Sequence, residues 1–458
     1  MTSKTQETGL GTGLKTRHLT MMGLGSAIGA GLFLGTGVGI QAAGPAVIFG
    51  YIFAGAIVVL FMQMLGEMAA ARPSSGAFSV YAEQAFGHWA GFTSGWLYWF
   101  MLTMVMGAEM TGAAAIMGNW FGVDPWIPAL ICVTIFAVIN LANVKGFGEF
   151  EFWFAFIKVA VIIAFLVIGA LLVFGLLPGT EFVGTRNLVG NGFMPNGISG
   201  IAAGLLAVAF AFGGIEIITI AAAESENPAS SIATAVRSVI WRISLFYLGS
   251  VLVIITLIPF ESIQGASSAA ESPFTIILAM ANIPYVVGFM EAIIVLALLS
   301  AFNAQIYGTS RLIFSLAKRG DAPKVFSYIS GQSVPRAAVL LSMVFAFASV
   351  GLQYWNPPGL LTFLLNAVGG CLIVLWVMIA ASWIKLHPEL VRTGEITSVR
   401  MGGHPWSAVV CLILLGALVV LMLVDANSRG QIYAVAVLFV VVVGLSFLTK
   451  KNKHSTVS

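Results

Sequence analysis

Apolar runs of about 18 residues or more recur along almost the whole chain, separated by short polar, glycine-rich or proline-containing stretches. Their positions predict roughly twelve membrane-spanning helices, near residues 18–38, 44–65, 92–118, 126–144, 153–177, 201–223, 240–260, 285–316, 336–355, 359–386, 406–424 and 431–449. The longest polar interruptions, 178–200, 261–284 and 318–336, are each too short for an independent hydrophobic core, so the chain reads as one continuous bundle. The segment 67–87 is mildly amphipathic, carries Pro73-Ser74-Ser75-Gly76, and is expected to lie along the cytoplasmic face.

Two of these runs are interrupted. The first contains Gly25-Ser26-Ala27-Ile28-Gly29-Ala30-Gly31-Leu32-Phe33-Leu34-Gly35, and the sixth contains Phe212-Gly213-Gly214. Backbone freed from a helix in hydrocarbon costs several kcal/mol per unsatisfied group, so such breaks persist where the amides and carbonyls are buried in protein or hold a polar solute. A ligand site at the bilayer midplane is therefore expected. The first and sixth spans are five apart, an odd number, so the sixth enters from the opposite side. Two five-helix halves in inverted topology, residues 18–177 and 201–386, satisfy that geometry, with two further spans at 406–449 and short cytoplasmic tails at 1–17 and 450–458. The fold class expected is an all-α polytopic membrane protein with a five-plus-five inverted repeat and broken helices 1 and 6, matching the general arrangement of inverted-repeat transporters.

Composition and charge agree. With 59% hydrophobic and 9% charged residues and a mean hydropathy of +0.99, a water-soluble core cannot hide the apolar surface. Counting loops, tails and span ends, all but three of the 21 Lys and Arg residues fall on the side shared by both termini, Arg186 and Arg429 lying opposite and Lys158 well inside a span. The positive-inside rule places both termini in the cytoplasm. The net charge of +3 reflects this asymmetry and gives no argument for a nucleic-acid partner. The polar N-terminal tail and the glycine-broken first span, with no small-residue cleavage site, do not read as a removable signal peptide. Cys132, Cys371 and Cys411 lie far apart within spans, without His or Cys at ligand spacing, and read as buried small hydrophobes; no metal site is expected.

The breaks suggest their own chemistry. A helix resuming near Gly29–Gly31 presents unpaired N–H groups and a positive dipole end suited to a carboxylate. Half-helices ending near Ser26–Ala27 and Phe210–Ala211 present carbonyls suited to an ammonium group. A zwitterion or an ω-amino acid fits both poles. Gly25-x-x-x-Gly29 and Gly31-x-x-x-Gly35 are equally small-residue contact motifs, so plain helix packing is the competing reading. A nucleotide loop is excluded, because no strand precedes the glycines. Among the ionisable residues in spans four stand out, Glu109, Lys158, Glu216 and Glu291, each costing at least about 2.5 kcal/mol at mid-depth unless paired or hydrated. Glu216, directly after the second break, suits a proton-coupling role. Lys158 suits a bridge from the fifth span to the freed carbonyls of the first, or a static ion pair. Glu109 suits a proton acceptor or a partner to Lys158 or a substrate amine, and Glu291 a structural role near the interface. Asn303, Gln305, Ser300 and Ser310 of the eighth span suit either a pathway lining or interhelical hydrogen bonds.

The run Gly13-Leu14-Lys15-Thr16-Arg17-His18-Leu19-Thr20, the glycine motif, Gly66-Glu67-Met68-Ala69, Gly148-Glu149-Phe150-Glu151-Phe152-Trp153, Phe193-Met194-Pro195-Asn196-Gly197 and Glu216-Ile217-Ile218-Thr219-Ile220-Ala221-Ala222-Ala223-Glu224-Ser225 together resemble the bacterial amino acid permeases of the amino acid–polyamine–organocation superfamily, over nearly the whole chain. Within it the sequence is most similar to the aromatic amino acid permeases of actinobacteria, with GABA permeases next. The resemblance implies a proton-coupled importer, with amino acid and proton as partners, membrane lipid around it, and the proton gradient in place of any cofactor. It implies that the backbone of Ser26, Ala27, Gly29, Ala30 and Gly31 binds the substrate carboxylate, and that carbonyls of Phe210, Ala211, Phe212 and Gly213 bind the amine. Phe210 matches an aromatic gate, Glu216 an acidic position kept by many relatives, Lys158 a lysine that in some stands in for sodium, and Glu109 a third-span glutamate of the aromatic permeases. Ala30 departs from the Ser or Thr of many relatives, which leaves more of the carboxylate to the amides. Met104, Met106, Phe210 and Phe212 are candidate apolar walls for a ring, and Gly107, Ala108, Gly213 and Gly214 leave it room. A GABA or other neutral amino acid permease and an exchanger are the alternatives; a channel or membrane enzyme is disfavoured by the lack of a filter-like repeat or a nucleophile–base pair.

Overall fold

A computed structural model describes residues 21, 28–142, 147–190, 192–222, 225, 227–263, 272–329 and 334–449. Helices dominate, as they must where lipid offers the backbone no partner, and no β-strand occurs among the described residues. In chain order the main helices are α1 (Thr36–Ala43), α2 (Val47–Ala71), α3 (Phe78–Phe86), α4 (His88–Phe121), α5 (Trp126–Ala142), α6 (Phe147–Val173), α7 (Gly197–Ala211), α8 (Ile217–Ala222), α9 (Pro228–Trp241), α10 (Gly249–Leu257), α11 (Pro273–Met280), α12 (Val286–Arg319), α13 (Arg336–Trp355), α14 (Leu360–Arg392), α15 (Trp406–Met422) and α16 (Ala426–Leu448). Among the described residues eight helical stretches are long and apolar enough to cross a membrane, and shorter apolar helices add to them. The chain is a multi-pass membrane protein.

Burial sorts the bundle into an inside and an outside. The apolar stretch of α4 is 83% buried, whereas that of α16 is 11% buried and shows Val437, Val440 and Phe447 outward. The innermost layer is α4 packed against α12 and α14, with α1, α7 and α2 closing around it. Lipid is the solvent for the outward aliphatic faces of α5, α6 and α16, so their exposure carries no penalty.

Several boundaries differ from the hydropathy expectation. The second span runs on to Ala71, because its Ala, Leu, Met and Glu residues are strong helix formers and the stop comes only at Arg72, which precedes Pro73. Glu67 is therefore not on a surface segment. Its carboxylate is fully buried and accepts from Trp383 Nε1 (2.8 Å), Met401 N (2.7 Å) and His387 Nδ1 (2.6 Å). The fifth span begins at Phe147, which puts Glu151 inside a helix. The seventh begins at Pro228 and continues through a π-helical stretch, Arg242–Leu248, into α10; Ser230, Ser231, Thr234 and Arg237 had lowered its apparent hydropathy. The polar stretch 261–284 contains α11, whose Phe274 is buried edge-on against Phe33, with ring centroids 5.0 Å apart.

Candidate functional site

After its break the first span resumes at Ala30. Ile28 and Gly29 are bends, the Phe33 amide donates to the Gly29 carbonyl at 3.1 Å, and the backbone continues as a π-helical turn, Gly31–Gly35, into α1. The first turn of a helix has amides with no partner of its own. Here the Ala30 amide donates to both oxygens of the Glu109 carboxylate, at 3.1 and 3.0 Å, across from α4. A Cβ placed on Gly29 would stand 2.5 Å from Glu109 Oε1, so the carboxylate rests directly on bare backbone. At the far side of the π-turn the Phe33 carbonyl accepts from Ser272 Oγ at 2.7 Å, just before α11.

Gly31 lets the two breaks touch. A Cβ there would lie 2.7 Å from Ala211 Cα, an impossible approach for any other residue. From that point α1 and α7 run antiparallel, Gly35 facing Ala207 and Gly204 facing Gly39. The small residues of the first span thus serve both close packing and the break.

In the sixth span, α7 ends at Ala211 and α8 starts at Ile217. The intervening turn is closed by Phe212 N to Ala209 O (3.1 Å) and Gly213 N to Phe210 O (2.8 Å). Gly214 takes φ +89°, which favours glycine. Its amide donates to Glu216 Oε2 at 3.1 Å, while Glu216 Oε1 accepts from Trp376 Nε1 of α14 at 3.1 Å. The Ala211 carbonyl, expected to face a substrate amine, already accepts from the Tyr247 hydroxyl at 2.6 Å.

Between the breaks lies a small cavity, with room for about one water, lined by Gly29, Gly31, Val105, Glu109, Phe210, Ala211, Gly213 and Gln305. Most of the expected residues meet here, Ala30 contributing its amide. Others do not line it. Met106 packs with Met110, Phe302 and Met343 in a separate apolar cluster, because the cavity lies on the Val105 side of Glu109. Phe212 turns the other way, its ring 4.8 Å from Tyr247 and 5.9 Å from Tyr51. Ser26 and Ala27 lie outside the described residues. Lys158 is fully buried in α6, and its charge bears on both Glu109 and Glu151.

Sequence reasoning missed Glu151, buried and bonded to Ser300 Oγ at 2.8 Å; its spacing seven residues before Lys158, two helical turns on one face, was the available signal. It also missed Arg311, buried in α12 with its guanidinium 4.0 Å from the Tyr307 ring centre. Asn303 makes the interhelical bond, to Asn140 at 2.7 Å, and Glu291 accepts from Trp120 Nε1 at 2.7 Å near the end of α12.

A pair of interrupted helices enclosing a polar cavity inside a membrane bundle is the construction of a secondary transporter for a small solute. Residues 18–456 match the amino acid permease family, and the chain belongs to it. It is 74% identical over 442 residues to the aromatic amino acid transport protein AroP of Corynebacterium glutamicum, covering 96% of each chain. It is 42% identical over 450 residues to a probable GABA permease of Pseudomonas aeruginosa, covering 97% of this chain and 94% of that one. Against AroP of Escherichia coli K12 the identity is 35% over 446 residues, covering 97% and 96%.

Proposed function

We propose that this permease imports aromatic amino acids, phenylalanine, tyrosine and tryptophan, across the bacterial cell membrane in symport with protons. The observation that carries the proton-coupled reading is the Glu109 carboxylate seated on the Ala30 amide inside the cavity. A substrate carboxylate needs that same amide, and two carboxylates within about 3 Å repel unless one holds a proton. Protonating Glu109 from outside removes its charge and its claim on the helix terminus, so the substrate anion takes its place. Release inside lets Glu109 ionise and return. The proton gradient thereby drives accumulation without a cofactor or a metal.

The other buried charges have roles within this scheme. Lys158 of α6 offers a buried cation to Glu109 and Glu151. Glu216 ties the second break to α14 through Trp376 and serves as the hinge of that break, the exchanging proton residing on Glu109. Antiparallel pairing of α1 and α7 supports the five-plus-five inverted repeat of a twelve-span bundle, and the excess of Lys and Arg on the side of both termini supports their cytoplasmic placement. The aromatic substrate is supported by the identity to the Corynebacterium protein and by a cavity with Phe210 and Val105 as apolar walls beside Gly213.

The test is uptake of labelled phenylalanine by proteoliposomes under an imposed inward proton gradient, with unlabelled tyrosine, tryptophan and GABA as competitors. Gradient-dependent uptake blocked by the two aromatics and not by GABA is the expected result. Inhibition by GABA alone, or uptake that needs internal amino acid and ignores the gradient, overturns the reading in favour of a GABA permease or an exchanger.

A further inference from the structure

The carboxylate pole of the cavity is accounted for, and the ammonium pole expected at the second break only in part. The Ala211 carbonyl already takes a donor from Tyr247 and the Phe210 carbonyl one from Gly213 N, which leaves each a single lone pair. A further polar side chain lines the same space. Gln305 of α12 is 2% exposed, lines the cavity, and its Oε1 is buried with no hydrogen-bond partner. Its position is fixed by Ala301, one turn earlier on the same helix face, which lies 3.1 Å from the point a Cβ on Gly29 would occupy. A buried carbonyl oxygen without a donor is costly, and such oxygens in native proteins normally have a partner.

We propose that Gln305 Oε1 accepts the α-ammonium group of the transported amino acid. With Glu109 protonated in the substrate-bound state, the lining offers an ammonium group no carboxylate, and Gln305 supplies the uncharged acceptor beside it. A neutral acceptor has a further use. This part rests on the proton-exchange scheme above: an ammonium ion bound to Glu109 would hold that carboxylate ionised and so resist its protonation, whereas an amide oxygen takes the ammonium whatever the state of Glu109.

The test compares ligands that differ only in the amine. Binding of L-phenylalanine and of 3-phenylpropanoate to the full chain in lipid nanodiscs is measured by calorimetry, for wild type and for Gln305→Met, which keeps the length and removes the acceptor. Loss of affinity for phenylalanine by roughly tenfold or more, with 3-phenylpropanoate nearly unaffected, is expected. Equal weakening of both ligands, or unchanged phenylalanine binding, overturns the assignment. Gln305→Asn, which withdraws the acceptor by one methylene, gives the same selective loss in smaller measure and serves if the Met variant does not fold. If wild type prefers GABA, the pair becomes GABA and butyrate, so the ammonium assignment is judged apart from the aromatic one.

Discussion

Both breaks must supply an acceptor for an orphan amide, and both use a glutamate, but the two glutamates come from different places. Glu216 sits two residues beyond the Gly214 amide it accepts from, within the break itself, and its second oxygen is fixed by Trp376. Glu109 reaches Ala30 from another helix, 79 residues away in sequence, and lies on the cavity wall. The second break is therefore closed by a residue of its own segment, with Tyr247 taking the nearby carbonyl, while the first is closed by a side chain from another helix. In the proposed mechanism these two helix interruptions of similar appearance serve as a hinge and a binding end.

The largest test of this contrast is Glu109→Gln. The amide still accepts from Ala30 but carries no proton and no charge, so substrate binding loses its proton dependence. A gradient of about two pH units supplies about 2.7 kcal/mol per proton, about a hundredfold accumulation. The variant is expected to lose that accumulation while retaining counterflow exchange of preloaded phenylalanine. Full gradient-driven accumulation by the variant would remove Glu109 from the coupling step.

Glu216→Gln is the matching probe of the hinge. Glutamine has one carbonyl oxygen for two donors, so either Gly214 N–H or Trp376 Nε1–H meets an NH₂ group instead. Losing one hydrogen bond to a charged acceptor is expected to slow uptake by about tenfold, with phenylalanine affinity within about threefold of wild type. Loss of gradient dependence here together with its survival in Glu109→Gln would exchange the roles of the two breaks. Tyr247→Phe should act less. It frees the Ala211 carbonyl at a cost of about 1 kcal/mol, seen as a lower thermal midpoint, with little change in substrate affinity. A tenfold change in affinity would place that carbonyl at the substrate.

The contrast was only half legible in the sequence. Both breaks announced themselves, because glycines interrupt apolar runs, and Glu109 and Glu216 stood out as charges in lipid. Pairing Glu109 with Ala30 was not legible, since nothing local connects α4 to the first break. Face assignments failed where neighbours compete: Phe210 lines the cavity and Phe212 does not, although they are two residues apart among 33 phenylalanines. Val105 and Met106 divide in the same way, on opposite sides of Glu109. Glu151 was hidden by a boundary: hydropathy averaged its carboxylate out of the fifth span, yet the helix starts four residues before it.

The smallest effect concerns the helix that Glu216 is tied to. Just beyond the end of α14, Glu395 makes a two-pronged pair with Arg72 at the end of α2, at 2.7 and 3.0 Å, and Glu389 adds a third contact at 2.8 Å. The Arg72 hydrogen bonds hold the Glu395 carboxyl down to about 2. A carboxyl depressed in the folded state stabilises it above the unfolded value near 4.5, and that contribution is lost as pH falls toward about 2. The pair is partly exposed, so solvent screens it and Glu395→Gln should cost no more than about 1 kcal/mol at neutral pH. The difference in thermal midpoint between wild type and variant should be constant from neutral pH down to about 5 and shrink below that, and should diminish with added salt. If the variant instead changes the rate of uptake as much as Glu216→Gln does, then α14 moves with the second break, and the hinge extends from Gly214 through Trp376 to the end of α2.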